Sequence, residues 1–130
     1  MRIVFAVVLL SLPLNSPVYA EWLKVSESNS NSVWYMDPAR VKVVGGKVEA
    51  WVKIDSTRDR TVQFAEMKEL ISFDCSADTY GVLSVIKYDT YGKVVSSATA
   101  PVYGVQYSPV VPESMAEAAE KLACVAVTAS

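Results

Sequence analysis

The chain has 130 residues, with 12 Lys and Arg against 14 Asp and Glu, no histidine, two cysteines and three tryptophans. That length corresponds to one domain, and a near-balanced charge without basic runs argues against nucleic-acid or membrane-surface partners. The lack of histidine removes the commonest general base, the Ser-His and Cys-His nucleophile pairs, and most transition-metal sites.

Met1-Arg2 is a short positive n-region, and Ile3 to Leu12 is an apolar run ended by Pro13, Asn15, Ser16 and Pro17. Val18-Tyr19-Ala20 suits a cleavage site, so residues 1–20 are expected to be a secretory signal peptide cut after Ala20. The run falls short of the roughly 18 residues a spanning helix needs. No lipid-attachment cysteine follows it, and no transmembrane segment is expected in the mature chain. The mature part, residues 21–130, loses only Arg2 among its charged groups and is net acidic. Both cysteines lie in it, and in an exported protein two cysteines pair. Cys75 and Cys124 are 49 positions apart. Closing a loop of that length stabilises a fold by roughly 4 kcal/mol on the chain-entropy model. The alternative, a reactive or metal-binding thiol pair, lacks both CxxC spacing and histidine.

Trp22 to Val25 and Val33 to Met36 read as short strands separated by a polar Asn/Ser loop. Asp37-Pro38 ends the second. Arg40 to Val44 and Lys47 to Ile54 flank Gly45-Gly46, the signature of a two-residue hairpin turn that needs positive φ at both positions. The register pairs Val44 with Lys47, Val43 with Val48, Lys42 with Glu49, Val41 with Ala50 and Arg40 with Trp51. It places Val41, Val43, Val48, Ala50, Val52 and Ile54 on one face, and Arg40, Lys42, Lys47, Glu49, Trp51 and Lys53 on the other. Asp55 to Ala65 reads as a connection, and Glu66 to Asp74 as a strand ending at Cys75. Tyr80 to Tyr88 and Lys93 to Thr99 form a second hairpin around Asp89 to Gly92, with its register open. Val102 to Tyr107 is expected to be an edge strand.

Ser114 and Glu117 have capping-box spacing, and Met115, Ala118, Ala119 and Leu122 form an i, i+3, i+4, i+7 stripe. On an ideal helix Cys124 lies about 180° from Met115. The helix is therefore expected to end near Ala123, or the chain to bend, leaving 125–130 as a tail. The fold class is α+β: a small antiparallel sheet with one C-terminal helix packed on one face and tied to it by the cysteines.

Few residues suggest chemistry. Asp55 with Asp59 and Asp74 with Asp78 sit in expected loops and read as turn-forming aspartates. No cofactor or metal is expected. Trp51 on the charged face beside Arg40 and Lys53, with Arg58 and Arg60 on the following loop, are the candidate partner-binding residues. The plainer reading covers Trp51 with the 55–65 loop or the N-terminal strand and leaves the two arginines solvated. Trp22 and Trp34 are expected in the core or at its rim. Tyr80, Tyr88, Tyr91, Tyr103 and Tyr107 are expected on half-buried strands.

Trp22, Tyr35-Met36-Asp37, Val48 to Trp51, Phe73-Asp74-Cys75, Tyr88 through Gly92 to Val94-Val95-Ser96, Val111-Pro112-Glu113-Ser114 and Cys124 together resemble the bacterial surface-adhesin E family. The resemblance spans most of the mature chain. It implies an antiparallel sheet of about six strands with a C-terminal helix, bridged by the two cysteines. It also implies a non-catalytic module at the periplasm or cell surface that binds a protein, such as a host matrix or serum protein. Glu113 stands where a glycine is expected before the helix. The alternatives are an envelope inhibitor or assembly factor acting by protein–protein binding and, more remotely, an enzyme using carboxylates or lysine.

Overall fold

The computed structural model describes residues 21–101 and 104–128. The expected signal peptide, Tyr103 and the last two residues of the tail lie outside them. The main sheet runs in the order β1 (Leu23–Glu27), β2 (Val33–Met36), β4 (Lys47–Asp55), β5 (Glu66–Asp74), β6 (Thr79–Tyr88), β7 (Val94–Thr99), with every pairing antiparallel. The short β3 (Lys42–Val44) adds to β4, and β8 (Ser108–Pro109) adds to β6. One helix, α1 (Met115–Thr128), closes one face. It is not long and apolar enough to cross a membrane, and no other described helix is.

Strand β4 shows how the sheet divides. Side chains alternate sides along a strand. Val48, Ala50, Val52 and Ile54 are buried on the inner face, beneath α1. Lys47, Glu49, Trp51 and Lys53 are half-buried on the outer face. Met36, Ile71, Phe73, Ala119 and Ala123 complete the inner core, and Phe73 and Met36 are its largest fully buried side chains. Trp34 packs against this core from its rim.

The Gly45-Gly46 hairpin has the expected register at its tip, with Lys42 opposite Glu49, Val43 opposite Val48 and Val44 opposite Lys47. Both glycines have positive φ, 57° and 77°. The expected pairs Val41–Ala50 and Arg40–Trp51 do not form. Pro38–Arg40 instead make a 3-10 turn, capped by Asp37, whose carboxylate accepts the Ala39 N–H at 3.0 Å. Proline at the first helical position favours that turn. Beyond it, β2 takes over the same edge of β4, with Met36 opposite Val52 and Val33 opposite Asp55. Val43 faces inward in register, but its side chain is 64% exposed, because α1 packs against β1, β4 and β5 rather than over this tip.

The second hairpin resolves as Tyr88 opposite Val94 and Lys87 opposite Ser96, with an irregularity between them and Gly92 at φ 77°. The expected strand over Val102–Tyr107 is not present in its described part. Pairing begins only at Ser108, and Gly104–Tyr107 cross the outer face of β6. Gly81 permits this: a Cβ there would lie 2.6 Å from Val105 Cγ1 and 3.2 Å from the Gln106 carbonyl oxygen. Tyr107 Oη donates to Ser72 Oγ at 2.8 Å and holds the crossing in place.

The helix departs furthest from expectation. It continues past Cys124 to Thr128, and its buried positions are Ala116, Ala119, Glu120 and Ala123. At about 100° per residue this face is rotated roughly a quarter turn from the Met115–Leu122 stripe. The rotation puts Cys124 on one flank and Met115 on the other. Neither a helix end nor a bend is then needed, and Cys75–Cys124 forms with its Cα atoms 6.1 Å apart. Small alanines let the helix backbone come close to the sheet, which a Met and Leu seam would hold off. Ser114 Oγ accepts the Glu117 N–H at 3.1 Å, while Glu117 reaches the Glu113 N–H at 3.3 Å, a variant of the expected capping box. Glu113 itself has φ 64°, the left-handed conformation that glycine adopts without steric cost.

Glu120 is only 7% exposed, and its Oε2 has no hydrogen-bond partner among the described residues. Burial, then the neighbouring Asp78 and Glu117 carboxylates, push its pKa up, against a smaller pull from Lys121.

Replacing both Cys75 and Cys124 by alanine is expected to remove about 3–4 kcal/mol of unfolding free energy, read from urea denaturation of the oxidised wild type and the variant. Because folding raises the Glu120 pKa, the native state is favoured as pH falls through that raised value, and the charge costs most at neutral pH. Glu120→Gln should therefore raise the thermal midpoint at pH 7.5. The gain should shrink at pH 4.5, and an equal gain at both values would contradict the buried-charge account.

Candidate functional site

Three of the five sequence candidates come together on the outer face. Trp51 and Lys53 project there from β4, and Arg40 reaches it from the 3-10 turn at the sheet edge. Arg40 is thus a groove neighbour of Trp51 rather than its cross-strand partner. Its Nε lies 3.2 Å from the buried Asp37 Oδ2, an ion pair that holds the guanidinium at the rim.

A depression of about 470 Å³ is lined by Ala39, Arg40, Lys42, Glu49, Trp51 and Leu70. Arg40 and Trp51 also line a smaller one of about 190 Å³ with Trp22, Lys68 and Ile86. Glu49 and Leu70 lead in the other direction into a third of about 430 Å³, walled by Val44, Lys47, Leu83, Val105 and Tyr107. Shared walls make these one shallow trench across β4, β5 and β6. The Gly104–Tyr107 crossing bounds one end and Trp22 the other.

Cations on this face lie against aromatic rings. Lys53 Nζ is 5.1 Å from the Trp22 ring centroid and 5.0 Å from that of Tyr35. Lys68 lies 5.1 Å over Tyr88, and Lys47 lies 5.0 Å over Tyr107. Each such contact is favourable by about 0.5–1 kcal/mol at an exposed site. No ion pair among the described residues involves Lys42, Lys47, Lys53 or Lys68. Trp22 therefore belongs to the outer face, a correction to its expected place in the core or at its rim. Neither cover expected for Trp51 is complete: the 56–65 loop lies elsewhere, and Trp22 flanks the indole while leaving the trench open.

Arg58 and Arg60 are exposed on that loop, beyond the end of β4, and line none of the three depressions. The loop is pinned through Asp59, which is 6% exposed. Its Oδ2 accepts from Ser32 Oγ at 2.5 Å and Ser30 Oγ at 3.0 Å, and its Oδ1 accepts from Thr61 N and Oγ1. Ser32 and Ser56 hydroxyls meet at 2.8 Å beside it. The hydrogen bond from Ser32 first, then those from Thr61, hold the Asp59 carboxyl well below the usual carboxylate range. Asp55 and Asp74 likewise accept from the N–H and hydroxyl two residues ahead, as turn-forming aspartates do.

Lys68, Leu70, Leu83, Tyr107 and Trp22 were not singled out as site residues from the sequence. The β4–β5 register that sets Lys68 opposite Lys53 and Leu70 opposite Trp51 is closed by a long connection with no turn signature. Among the described tyrosines, Tyr80 packs against the core, Tyr88 and Tyr107 lie under lysines, and Tyr91 is 94% exposed at the β6–β7 turn.

Since folding lowers the Asp59 pKa, its contribution to stability is present above the ordinary carboxylate pKa and is lost as pH falls. Asp59→Asn should lower the thermal midpoint at pH 7, and the gap from wild type should close progressively below about pH 4. A gap that stays constant down to pH 2.5 would assign the loss to geometry and not to charge.

The family model for surface-adhesin protein E matches residues 22–125. No curated protein and no solved structure matches the chain at a significant level.

Proposed function

The chain belongs to the surface-adhesin protein E family, and on that premise we propose that it is an exported, non-catalytic module that binds a protein through the outer face of its sheet. The observation that carries this reading is the convergence of Arg40, Trp51 and Lys53, with Trp22 and Tyr35, on the face that α1 leaves uncovered. Tryptophan and arginine are the side chains whose truncation most often costs binding energy, when they sit centrally and are partly desolvated. The Met1 to Ala20 pattern supports export. The engagement of Asp55, Asp59 and Asp74 in turns supports the non-catalytic reading. Arg58 and Arg60 are proposed as bystanders to this surface.

The test is capture of protein partners by the purified mature chain from host serum and, separately, from the producing cell's envelope extract, using wild type and Trp51→Ala in parallel. A partner bound through this face should lose about 2 kcal/mol, roughly thirtyfold in affinity, on that truncation. Partners retained equally by both proteins would place binding elsewhere. Accessibility of the chain on intact cells separates adhesion from a periplasmic inhibitory or assembly role.

A further inference from the structure

The mature chain is net acidic, yet Arg40, Lys42, Lys47, Lys53 and Lys68 border the trench against one carboxylate within it, Glu49. Asp55 and Glu66 share the outer face only at the far end of β4, paired across the strands there. The charge is also uneven along the trench. Arg40, itself paired with Asp37, and Lys42, Lys53 and Lys68 gather around Trp51, whereas the opposite end has Lys47 as its one cation among walls of Val44, Leu83, Val105 and Tyr107, with Leu70 between the two. We infer that the trench takes an extended acidic segment of a polypeptide, its carboxylates against the cations around Trp51 and one large apolar side chain in the depression beside Leu70. The inference rests on the outer-face reading above and adds the chemistry of the partner.

Three features favour this occupant. Lys47 to Lys53 covers seven residues of β4, six steps of roughly 3.3 Å or about 20 Å, the reach of about six extended residues. Lys47, Lys53 and Lys68 rest on aromatic rings and make no close ion pair among the described residues, with Asp74 and Asp55 only in the neighbourhood of Lys47 and Lys53, so an incoming carboxylate displaces water rather than an existing ion pair. The third feature is the apolar end itself. A sulfated glycan carries charge along its whole length and has no apolar group for the depression of about 430 Å³, while a polypeptide can present both.

The probe is an N-acetylated, C-amidated octapeptide with four consecutive glutamates, a two-residue Gly-Ser spacer and a Leu-Phe pair, titrated into the mature chain with tryptophan fluorescence and calorimetry as readouts. Saturable binding is expected, weakened about tenfold by Lys53→Gln with Lys68→Gln. It should weaken by a similar factor when glutamines replace the peptide glutamates, and more modestly when Gly-Gly replaces Leu-Phe. The peptide series on wild-type protein keeps the inference testable even where the double variant fails to fold. Absence of saturable binding overturns it. So does a heparin-derived octasaccharide that binds with the same lysine dependence while the peptide does not. If a Trp51-dependent protein partner is captured but the peptide fails, the outer-face reading survives and the acidic-segment inference falls. If Trp51 dependence is also absent, both fall.

Discussion

The structure depends on strand β4 having two different partners on one edge. β3 occupies that edge near the Gly45-Gly46 turn and β2 occupies it from Val52 onward. The Asp37-capped turn at Pro38–Arg40 carries the chain from one to the other. Proline has no N–H to give a ladder and its φ suits the start of a helical turn, so the edge is interrupted beside Ala50 and Trp51. The interruption serves both faces. Inside, Asp37 is buried and ion-paired to Arg40, and α1 packs against the turn. Outside, Ala39 and Arg40 form the rim of the depression that contains Trp51.

The other face is governed by the fit of α1. Its contact with the sheet is made by alanines, so the helix sits close and the two chain segments bearing Cys75 and Cys124 meet without distortion of the helix. The same close fit buries Glu120 one turn before Cys124, next to Asp78 in the β5–β6 turn. The disulfide and the buried carboxyl act in opposite directions on stability, since one restricts the unfolded chain and the other prefers to be protonated when folded. The outer face is thereby left as the sheet surface with room for a partner. The Gly104–Tyr107 crossing narrows it at one end without covering Trp51.

Much of this was legible in the residues. The β2 boundaries followed from Asp37-Pro38 closing a β-rich run, the β5 boundaries from the β-prone Ile71-Ser72-Phe73 beside a hairpin, and the pairs at the tip of the Gly45-Gly46 hairpin from period-two alternation and a turn that needs positive φ. The cysteine pair followed from having two cysteines in a chain with an export signature. Errors arose where two local signals competed. Val41 continues the β3 alternation by pattern, but Asp37-Pro38 ends pairing before it. Met115 and Leu122 form the better hydrophobic stripe, but the alanines pack closer and set the buried face. Val105 to Tyr107 has strand-like composition, yet its contacts are with Gly81 and Ser72 rather than with a ladder.

By itself the sequence determined the class of fold and the side of β4 on which Trp51 and Lys53 stand, through alternation, turn chemistry and the spacing of caps, and the disulfide through two cysteines in a chain with an export signature. The count of about six strands came with the family resemblance. Only the tertiary structure decided that Arg40 meets Trp51 across a broken edge, that Lys68 and Leu70 join them, and that Arg58 and Arg60 do not. These are register and rotation choices between segments joined by long loops. The energy that settles them is packing of side chains distant in sequence, chiefly the alanine face of α1 on β4 and the Asp59 hydroxyl cluster that holds the 56–65 loop away.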